Sequence, residues 1–438
     1  MAPIEEAEEQ KIIVYGDGST ARLTALALTA AHLPVLWTKP KAAKAEKSDT
    51  RQPPDWQSVL ALSPSAKTML ETLGVWQALD RPAAPICDMA VYGNSAAFAS
   101  DLGLEFADPP TPQDATTKDD VSVLAHIVCR AALARALISS TDDAISKTGA
   151  AANLSAADSA LIDFDTATGD ARFADGQTMR AALLVDCTAN GQDGAPAWRH
   201  RAAGKPLVHD YQASALVATL RSDKPHGNKA VQLFLPDGPL ALLPLPDAHQ
   251  RALIWSLPNA RAHALASCTA EIFNHELTQA LNGNAQIGAT SLATERAVQP
   301  LALKLAEQYV DGKLCLLGEA AHIIHPLAGQ GFNLSMRDAA QLADCLFAAR
   351  GLGLAYDAPG ALGDYQALRR TDSGAMAATT HILAQVFSAP SPARPIARLG
   401  LALTARLTAN APRLAHRFRS QANRGTSDLP RLMRGHGF

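Results

Sequence analysis

The chain has 438 residues, a formal net charge of −3 and six cysteines, none of which forms a CxxC pair. The small negative charge excludes a nucleic-acid partner bound by bulk electrostatics, and the scattered cysteines favour reduced thiols in a cytoplasmic protein. The acidic N-terminus MAPIEEAEEQ lacks the pattern of a secretory signal, and no stretch has about 18 uninterrupted apolar residues, so we expect no membrane span.

Residues 11 to 38 are predicted to form a βαβ unit. The apolar run KIIVYG is followed by the turn GDGSTA, the helical pattern RLTALALTAAHL and the extended run PVLWT. Further helices are predicted for SAKTMLETLGVWQAL and HIVCRAALARALISS, and buried strands for LLVDC and LCLLG. Between residues 211 and 257, the runs SALVATLRS, AVQLFLP, LALLPLP and ALIWSLP predict a mixed or antiparallel sheet, so a second domain is inserted in the first.

The turn GDGSTA contains the first candidate binding residues. It follows a strand and begins a helix, where a G-x-G-x-x-G/A motif lets a pyrophosphate approach backbone N–H groups at the helix N-terminus. Gly16, Gly18 and Ala21 occupy the motif positions. An ordinary strand-to-helix turn is the alternative interpretation. The acidic residue that usually binds the ribose about 20 residues later is replaced by Lys39.

Residues 318–338, GEAAHIIHPLAGQGFNLSMRD, contain the second group of candidates. The strand LCLLG delivers Glu319 to its carboxyl end, where a carboxylate can accept hydrogen bonds from a polyol. Gly329 and Gly331 allow the main chain to approach a planar ligand closely. The N–H groups of Gly331, Phe332 and Asn333, near a helix start, can stabilise negative charge on that ligand.

Two histidines in the same stretch invite a metal interpretation. His322 and His325 are three residues apart, and no third ligand has a matching spacing, so we predict no metal site. A histidine satisfied by backbone partners is more common than a catalytic one. Catalytic residues therefore stay unassigned.

The stretch GEAAHIIHPLAGQGFNLSMRDAAQLAD resembles the G-D-A-A-H-x-x-H-P-x-A-G-Q-G-x-N-L-G-x-x-D signature of FAD-dependent aromatic hydroxylases, and more narrowly the UbiH-type branch of ubiquinone biosynthesis. LALSPSAKTMLETLGVW, FLPDGPLALLPLP and DYQALRRTD agree with it. The resemblance implies an α/β fold like that of para-hydroxybenzoate hydroxylase, with a Rossmann-like FAD-binding domain, an inserted substrate domain of mixed or antiparallel sheet, and C-terminal helices. The FAD-binding domain is predicted at 9–85, 116–205 and 299–350, the substrate domain at 86–115 and 206–298, and the C-terminal helical region at 351–438.

The resemblance also implies a reaction. NAD(P)H would reduce FAD, O2 would form a C4a-hydroperoxyflavin, and the ring of a polyprenylated phenol would be hydroxylated in ubiquinone biosynthesis. One alternative is a member that binds flavin weakly or not at all and acts as an assembly partner in a quinone-biosynthesis complex. Another keeps the flavin but uses a different substrate. A polyprenyl tail further implies peripheral contact with the inner membrane, for which the basic and apolar segment 393–418 is a candidate.

The resemblance assigns roles position by position. Arg130 matches a flavin-contacting position, Gly318 and Glu319 match the ribityl-binding pair, and the strand with Phe234 lies over the substrate pocket. The dinucleotide turn is matched by Gly16, Gly18 and Ala21, and the isoalloxazine loop by Pro326, Gly329, Gly331 and Asn333, with Phe332 between them and Pro326 also facing the substrate.

Several positions depart from the family pattern. Lys39 replaces an acid, Glu319 replaces an aspartate, and Ser58 stands where the family usually has an arginine. The segment after LLVDC matches only loosely: residues 193 and 194 align as Asp-Gly, whereas Ala197 and His200 occupy the serine and arginine places. These departures bear on how tightly FAD is bound.

Overall fold

The computed structural model describes residues 10–40, 58–93, 104–105, 123–147, 153–189, 196–202, 204–281, 287–326, 329–388 and 429–438. Its helices are α1 (Ser19–Ala30), α2 (Pro64–Thr72), α3 (Arg130–Ser146), α4 (Ala197–Ala202), α5 (Asn259–Ser267), α6 (Ala270–Leu281), α7 (Gly331–Gly351) and α8 (Pro359–Ser388). Short 3-10 helices lie at Trp76–Ala78, Gly318–Ala320 and Arg431–Arg434.

The strands in chain order are β1 (Ile12–Tyr15), β2 (Val35–Thr38), β3 (Val59–Leu62), β4 (Ala84–Ile86), β5 (Asp88–Gly93), β6 (Leu104–Glu105), β7 (Ala125–Cys129), β8 (Leu154–Ala156), β9 (Leu161–Phe164), β10 (Asp170–Phe173) and β11 (Thr178–Arg180). They continue with β12 (Leu183–Asp186), β13 (Leu207–Ser222), β14 (Lys229–Leu235), β15 (Gly238–Pro244), β16 (Gln250–Pro258), β17 (Thr290–Leu292), β18 (Ala297–Leu305), β19 (Val310–Asp311), β20 (Leu314–Leu316) and β21 (His322–Ile323).

The first sheet has the strand order β19-β20-β12-β1-β2-β8, and every pairing except β19–β20 is parallel. Its central strands are continuous apolar runs because helices cover both faces of such a sheet. The crossover from β1 to β2 is α1, which packs against α3 and α7. This arrangement confirms the predicted βαβ unit.

The second large sheet has the order β21-β18-β13-β16-β15-β14-β5-β6, with β17 also paired to β13. The β14–β5 pairing is parallel and the others are antiparallel. Side chains of β13 to β16 form a core with α5 and α6, including Leu216, Trp255 and Phe273. The prediction of an α/β fold with an inserted mixed sheet is confirmed. The predicted domain boundary at residue 298 falls inside β18, which pairs with β13.

One predicted helix begins later than expected. Residues 125–129 form β7, which pairs with β3 and β4 in a small antiparallel sheet, and α3 begins only at Arg130. The prediction that HIVC is helical is therefore wrong. Ile127 and Val128 are β-branched and buried, and strand pairing outweighs the helical pattern of the residues that follow them.

No helix within the described ranges is both long enough and apolar enough to cross a bilayer. The basic segment 393–418 lies outside the described residues. All six cysteines are free thiols.

A buried charge network joins α7 and α8 to the turn after β20. One carboxylate oxygen of Asp338 accepts hydrogen bonds from the Gly318 N–H at 3.1 Å and from His322 Nε2 at 2.6 Å. The other accepts one from Arg369 Nε at 2.6 Å, and Arg369 also donates to Asp372 at 2.8 Å. Burial alone would raise the pKa of Asp338, but His322 and Arg369 hold this pKa well below its ordinary value. Asp338 is therefore a buried carboxylate anion.

We predict that Arg369→Met strongly destabilises the protein, because it removes a cation from a carboxylate that water cannot reach. Breaking a buried ion pair in this way typically costs about 3–5 kcal/mol. The free energy of unfolding in urea measures the effect. Arg370→Met, at the exposed next position of α8, is the matched control. If the two variants lose the same free energy of unfolding, the buried charge network does not stabilise the protein as proposed.

Candidate functional site

A cavity of about 570 Å³ lies at the carboxyl ends of the parallel strands of the first sheet. Residues that follow β1, β2, β12 and β20 form its wall together with the first turns of α3. Open α/β sheets bind ligands in this crevice, and the volume is in the usual range for a small-molecule site. The wall consists of Asp17, Gly18, Ser19, Thr20, Pro40, Ser58, Arg130, Ala131, Ala134, Arg135, Ile138, Cys187, Thr188, Ala189, Glu319 and Phe332.

Glycine occupies positions 16 and 18 of the first turn for different physical reasons. Gly16 has φ of 146°, and a Cβ there would lie 3.0 Å from the Cβ of Ala21, so Gly16 permits close packing of β1 against α1. Gly18 has φ of −84°, and a Cβ there would meet no protein atom within 4 Å. Protein packing therefore does not require glycine at position 18. The space in front of it, at the N-terminus of α1, fits the diphosphate of a dinucleotide.

Arg130 and Glu319 place opposite charges on the cavity wall. Arg130 donates from its backbone N–H to the Ser58 carbonyl at 3.0 Å and from Nε to the Ser58 hydroxyl at 3.2 Å. Water reaches both charged side chains through the cavity, yet protein atoms surround much of the guanidinium. This burial lowers the pKa of Arg130 below its ordinary value, whereas the negative charge of Glu319 acts in the opposite direction. A partly desolvated guanidinium is well suited to an anionic ligand.

The loop before α7 is fixed by Asn333. Its side-chain oxygen accepts a hydrogen bond from the Ser63 N–H at 3.0 Å, and its amide nitrogen donates to the Ala61 carbonyl at 2.8 Å. Gly329 has φ of 61°, and a Cβ there would lie 3.1 Å from the Cβ of Ala61. The loop is thus held against the connection from β3 to α2. The structure gives Asn333 this fixing contact, and its neighbour Phe332 lines the cavity.

Four of the residues proposed from the sequence meet on the cavity wall: Gly18, Arg130, Glu319 and Phe332. Gly16 and Ala21 lie directly behind the wall. So does Gly318, where a Cβ would approach Thr20 to 2.8 Å. The other proposed residues, Pro326, Gly329, Gly331, Asn333 and, in β14, Phe234, do not line this cavity. Lys39 is exposed just after β2, and residues 193 and 194 lie outside the described ranges.

The sequence analysis missed a buried ion pair behind the cavity wall. Arg199 donates to both carboxylate oxygens of Asp186, at 2.6 and 2.8 Å. Asp186 also accepts hydrogen bonds from the N–H and hydroxyl of Thr188, which lines the cavity. The family comparison put His200 in the arginine place, but the structure gives this contact to Arg199. The sequence feature that could have indicated this buried ion pair is the aspartate at the end of the apolar strand LLVD.

His325 is a second polar residue to which the sequence analysis gave no role. Its ring is 2% exposed and packs edge-on against Tyr211, with ring centroids 4.9 Å apart. Its Nδ1 has no hydrogen-bond partner in the described part of the chain. Burial, with a smaller effect of His381, lowers the pKa of His325 to about 4. The ring is therefore neutral near pH 7. Among the described residues, no cluster of three or more His, Cys, Asp or Glu side chains could hold a metal ion.

We predict that His325→Gln reduces the loss of stability on acidification. The pKa of His325 is below the unfolded value of about 6.5, so the unfolded chain binds this proton first as the pH falls. The stability that the neutral His325 ring contributes is fully present above about pH 6.5. It is lost as the pH falls toward the folded-state pKa of about 4. In that pH window, the slope of the free energy of unfolding against pH should be smaller in the variant than in the wild type by up to about 1.4 kcal/mol per pH unit. Urea unfolding at a series of pH values measures this.

The matched control for this prediction is His275→Gln, which changes an exposed histidine of α6 in the same way. A slope for His325→Gln that equals the wild-type slope would show that burial of His325 does not set the acid sensitivity.

Comparisons with known proteins agree with this site. A family model described as "FAD binding domain" matches residues 68–353. The chain is 32% identical over 378 residues to the ubiquinone hydroxylase UbiL of Rhodospirillum rubrum, which covers 86% of this chain and 82% of the relative. It is 35% identical over 200 residues to the 3-demethoxyubiquinol 3-hydroxylase of Escherichia coli, covering 45% of this chain and 49% of the relative.

Solved structures show the same fold. PqsL of Pseudomonas aeruginosa in complex with 2-aminobenzoylacetate aligns with a TM-score of 0.64 at 19% identity, over 86% of this chain and 96% of that chain. HpxO of Klebsiella pneumoniae, complexed with FAD and uric acid, gives 0.64 at 16% identity, over 95% and 97%. The extent of the sequence matches confirms the resemblance noted in residues 318–344. The chain belongs to the family of FAD-dependent hydroxylases of ubiquinone biosynthesis.

Proposed function

We propose that this protein is a monooxygenase that uses FAD, NAD(P)H and O2 to hydroxylate the aromatic ring of a ubiquinone precursor. The observation that carries the proposal is the open space in front of Gly18, within a cavity that also presents Arg130 and Glu319. A diphosphate, a sugar-like polyol chain and a planar ring system each find suitable partners on this wall. Family membership supplies the class of reaction.

We propose a binding partner on this wall for each part of the cofactor. The N–H groups of Ser19 and Thr20 are in the first turn of α1 and can bind the diphosphate, with Arg130 as the adjacent cation. Glu319 can accept hydrogen bonds from the ribityl hydroxyls. We propose that Phe332 on the cavity wall and the N–H groups beside it at the start of α7 serve the flavin ring. When bound, FAD takes electrons from NAD(P)H and activates O2 for oxygen transfer.

A polyprenylated phenol is the substrate we propose. The names of the relatives from R. rubrum and E. coli, a ubiquinone hydroxylase and a 3-demethoxyubiquinol 3-hydroxylase, support it. We propose that Pro326 and the large sheet that contains Phe234 bound the substrate side of the flavin, as the family resemblance implies. A site that excludes water protects the activated oxygen from side reactions.

Peripheral contact with the inner membrane would give access to such a substrate, and a cytoplasmic location is part of this proposal. Leu207 and Val208 at the start of β13 and Ile382 in α8 are each at least 59% exposed. The rings of His209 and His381, only 4.9 Å apart, place these two elements side by side. Exposed apolar side chains on two neighbouring elements support contact with lipid or with a partner in a quinone-biosynthesis complex.

We expect Leu207→Ser combined with Ile382→Ser to reduce co-sedimentation with phospholipid vesicles, because the two changes remove apolar groups that would enter the lipid. The bound fraction in a pelleting assay measures this. Ile272→Ser, at an exposed position of α6, is the control. If the double variant sediments with vesicles as the wild type does, the membrane proposal fails for this surface.

The first test of function is the visible spectrum of the protein after FAD is added and free FAD is removed on a desalting column. The proposal predicts retained flavin bands and NAD(P)H consumption coupled to hydroxylation of a short-chain prenylated phenol. The alternative, a non-catalytic assembly partner, predicts a folded but colourless protein. That result would reject the enzymatic proposal.

Gly18→Ala provides a sharper test of the cavity. The added methyl group meets no protein atom, so the fold should be unaffected, but it fills space assigned to the diphosphate. We expect FAD affinity to fall about 10-fold or more, which is the scale of overpacking a close contact. Flavin fluorescence titration measures it. Gly374→Ala, in α8 and also without neighbours within 4 Å, should leave affinity unchanged.

A further inference from the structure

Ser58 and Arg130 are joined by the geometry of two strands. β3 and β7 are antiparallel, with Val59 opposite Cys129, so the residues just outside this pair face each other at the edge of the cavity. The backbone N–H of Arg130 donates to the Ser58 carbonyl, and Arg130 Nε donates to the Ser58 hydroxyl. One small residue therefore fixes both the first backbone group of α3 and the direction of its first side chain.

The Ser58 contact leaves the outer part of the guanidinium available. In the described part of the chain, no protein atom accepts a hydrogen bond from the two terminal nitrogens of Arg130. The other arginine on the cavity wall, Arg135, binds both carboxylate oxygens of Asp80, at 2.8 and 3.1 Å. Arg130 is thus the arginine on the described wall that can turn two donors toward an anion.

An arginine side chain has many rotamers, and fixing it on binding costs conformational entropy. A hydrogen bond that already holds Nε removes part of this cost before the ligand arrives. We propose that Ser58 is a positioning residue: it orients Arg130 so that both terminal nitrogens meet the diphosphate of FAD. The inference rests on the FAD site of the proposed function. It gives Ser58 a role through Arg130, at a position where an arginine would contact the ligand itself.

Ser58→Ala and Ser58→Thr test this role through the dissociation constant of FAD, measured by quenching of flavin fluorescence on the apoprotein. Loss of the hydroxyl should raise the dissociation constant about 3- to 10-fold, the scale of one typical hydrogen bond. Threonine keeps the hydroxyl and should restore wild-type affinity. Ser146→Ala, at the other end of α3, is the matched control. Wild-type affinity in Ser58→Ala would overturn the inference.

A double-mutant cycle separates positioning from direct contact with the ligand. If Ser58 acts through Arg130, then Ser58→Ala has no further effect once Arg130→Ala is present. Additive effects would mean that Ser58 contacts FAD by itself, which overturns the inference but leaves the FAD site in place. Wild-type affinity in Arg130→Ala would instead reject the assignment of the diphosphate site.

Urea unfolding of each apoprotein should give the wild-type midpoint, and a lowered midpoint in Ser58→Ala alone would assign Ser58 to stability instead.

Discussion

The buried carboxylate of Asp338 fixes two of the segments that contribute to the cavity wall. A carboxylate cannot be buried without partners, and here the partners come from two other segments: Gly318 and His322 in the turn after β20, and Arg369 in α8. The bond to Gly318 sets the turn that carries Glu319, and Asp338 itself belongs to the helix whose first turn carries Phe332. Docking of α8 through Arg369 therefore influences groups on the cavity wall that α8 does not contribute.

A second buried carboxylate has the same role at the end of β12, the strand that neighbours β20. Asp186 is neutralised by Arg199 and aligns Thr188 at the cavity. The molecule thus divides its charges into two kinds. Asp338 and Asp186 are inaccessible to water and hold backbone and side chains in place, whereas Glu319 and Arg130 line the cavity, where water reaches them. In the proposed flavin site, the first kind holds the wall in place and the second kind lines it.

Local patterns in the amino-acid sequence predicted much of this structure. The βαβ unit and the strands of the large sheet followed from apolar periodicity, and the motif residues Gly18, Glu319 and Phe332 did meet in one cavity. The errors concern interactions between distant segments. The strand at residues 125–129 was assigned to a helix because its pairing with β3 and β4 is not visible in its own sequence. Arg199 and Arg369 were missed for the same reason, since an arginine in a helix gives no sign of the buried carboxylate that it meets.

The order of the strands in the first sheet has a consequence for how the protein is made. β1 pairs with β12, and β12 pairs with β20, so the centre of the sheet joins segments from the beginning, the middle and the last third of the chain. During synthesis, the N-terminal βαβ unit leaves the ribosome long before β20 and α7 exist to complete it. Contacts of such long sequence separation also make folding slow. The cavity can form only after residue 332 has emerged, so FAD bound at the proposed site cannot guide early folding and instead stabilises the finished molecule by mass action.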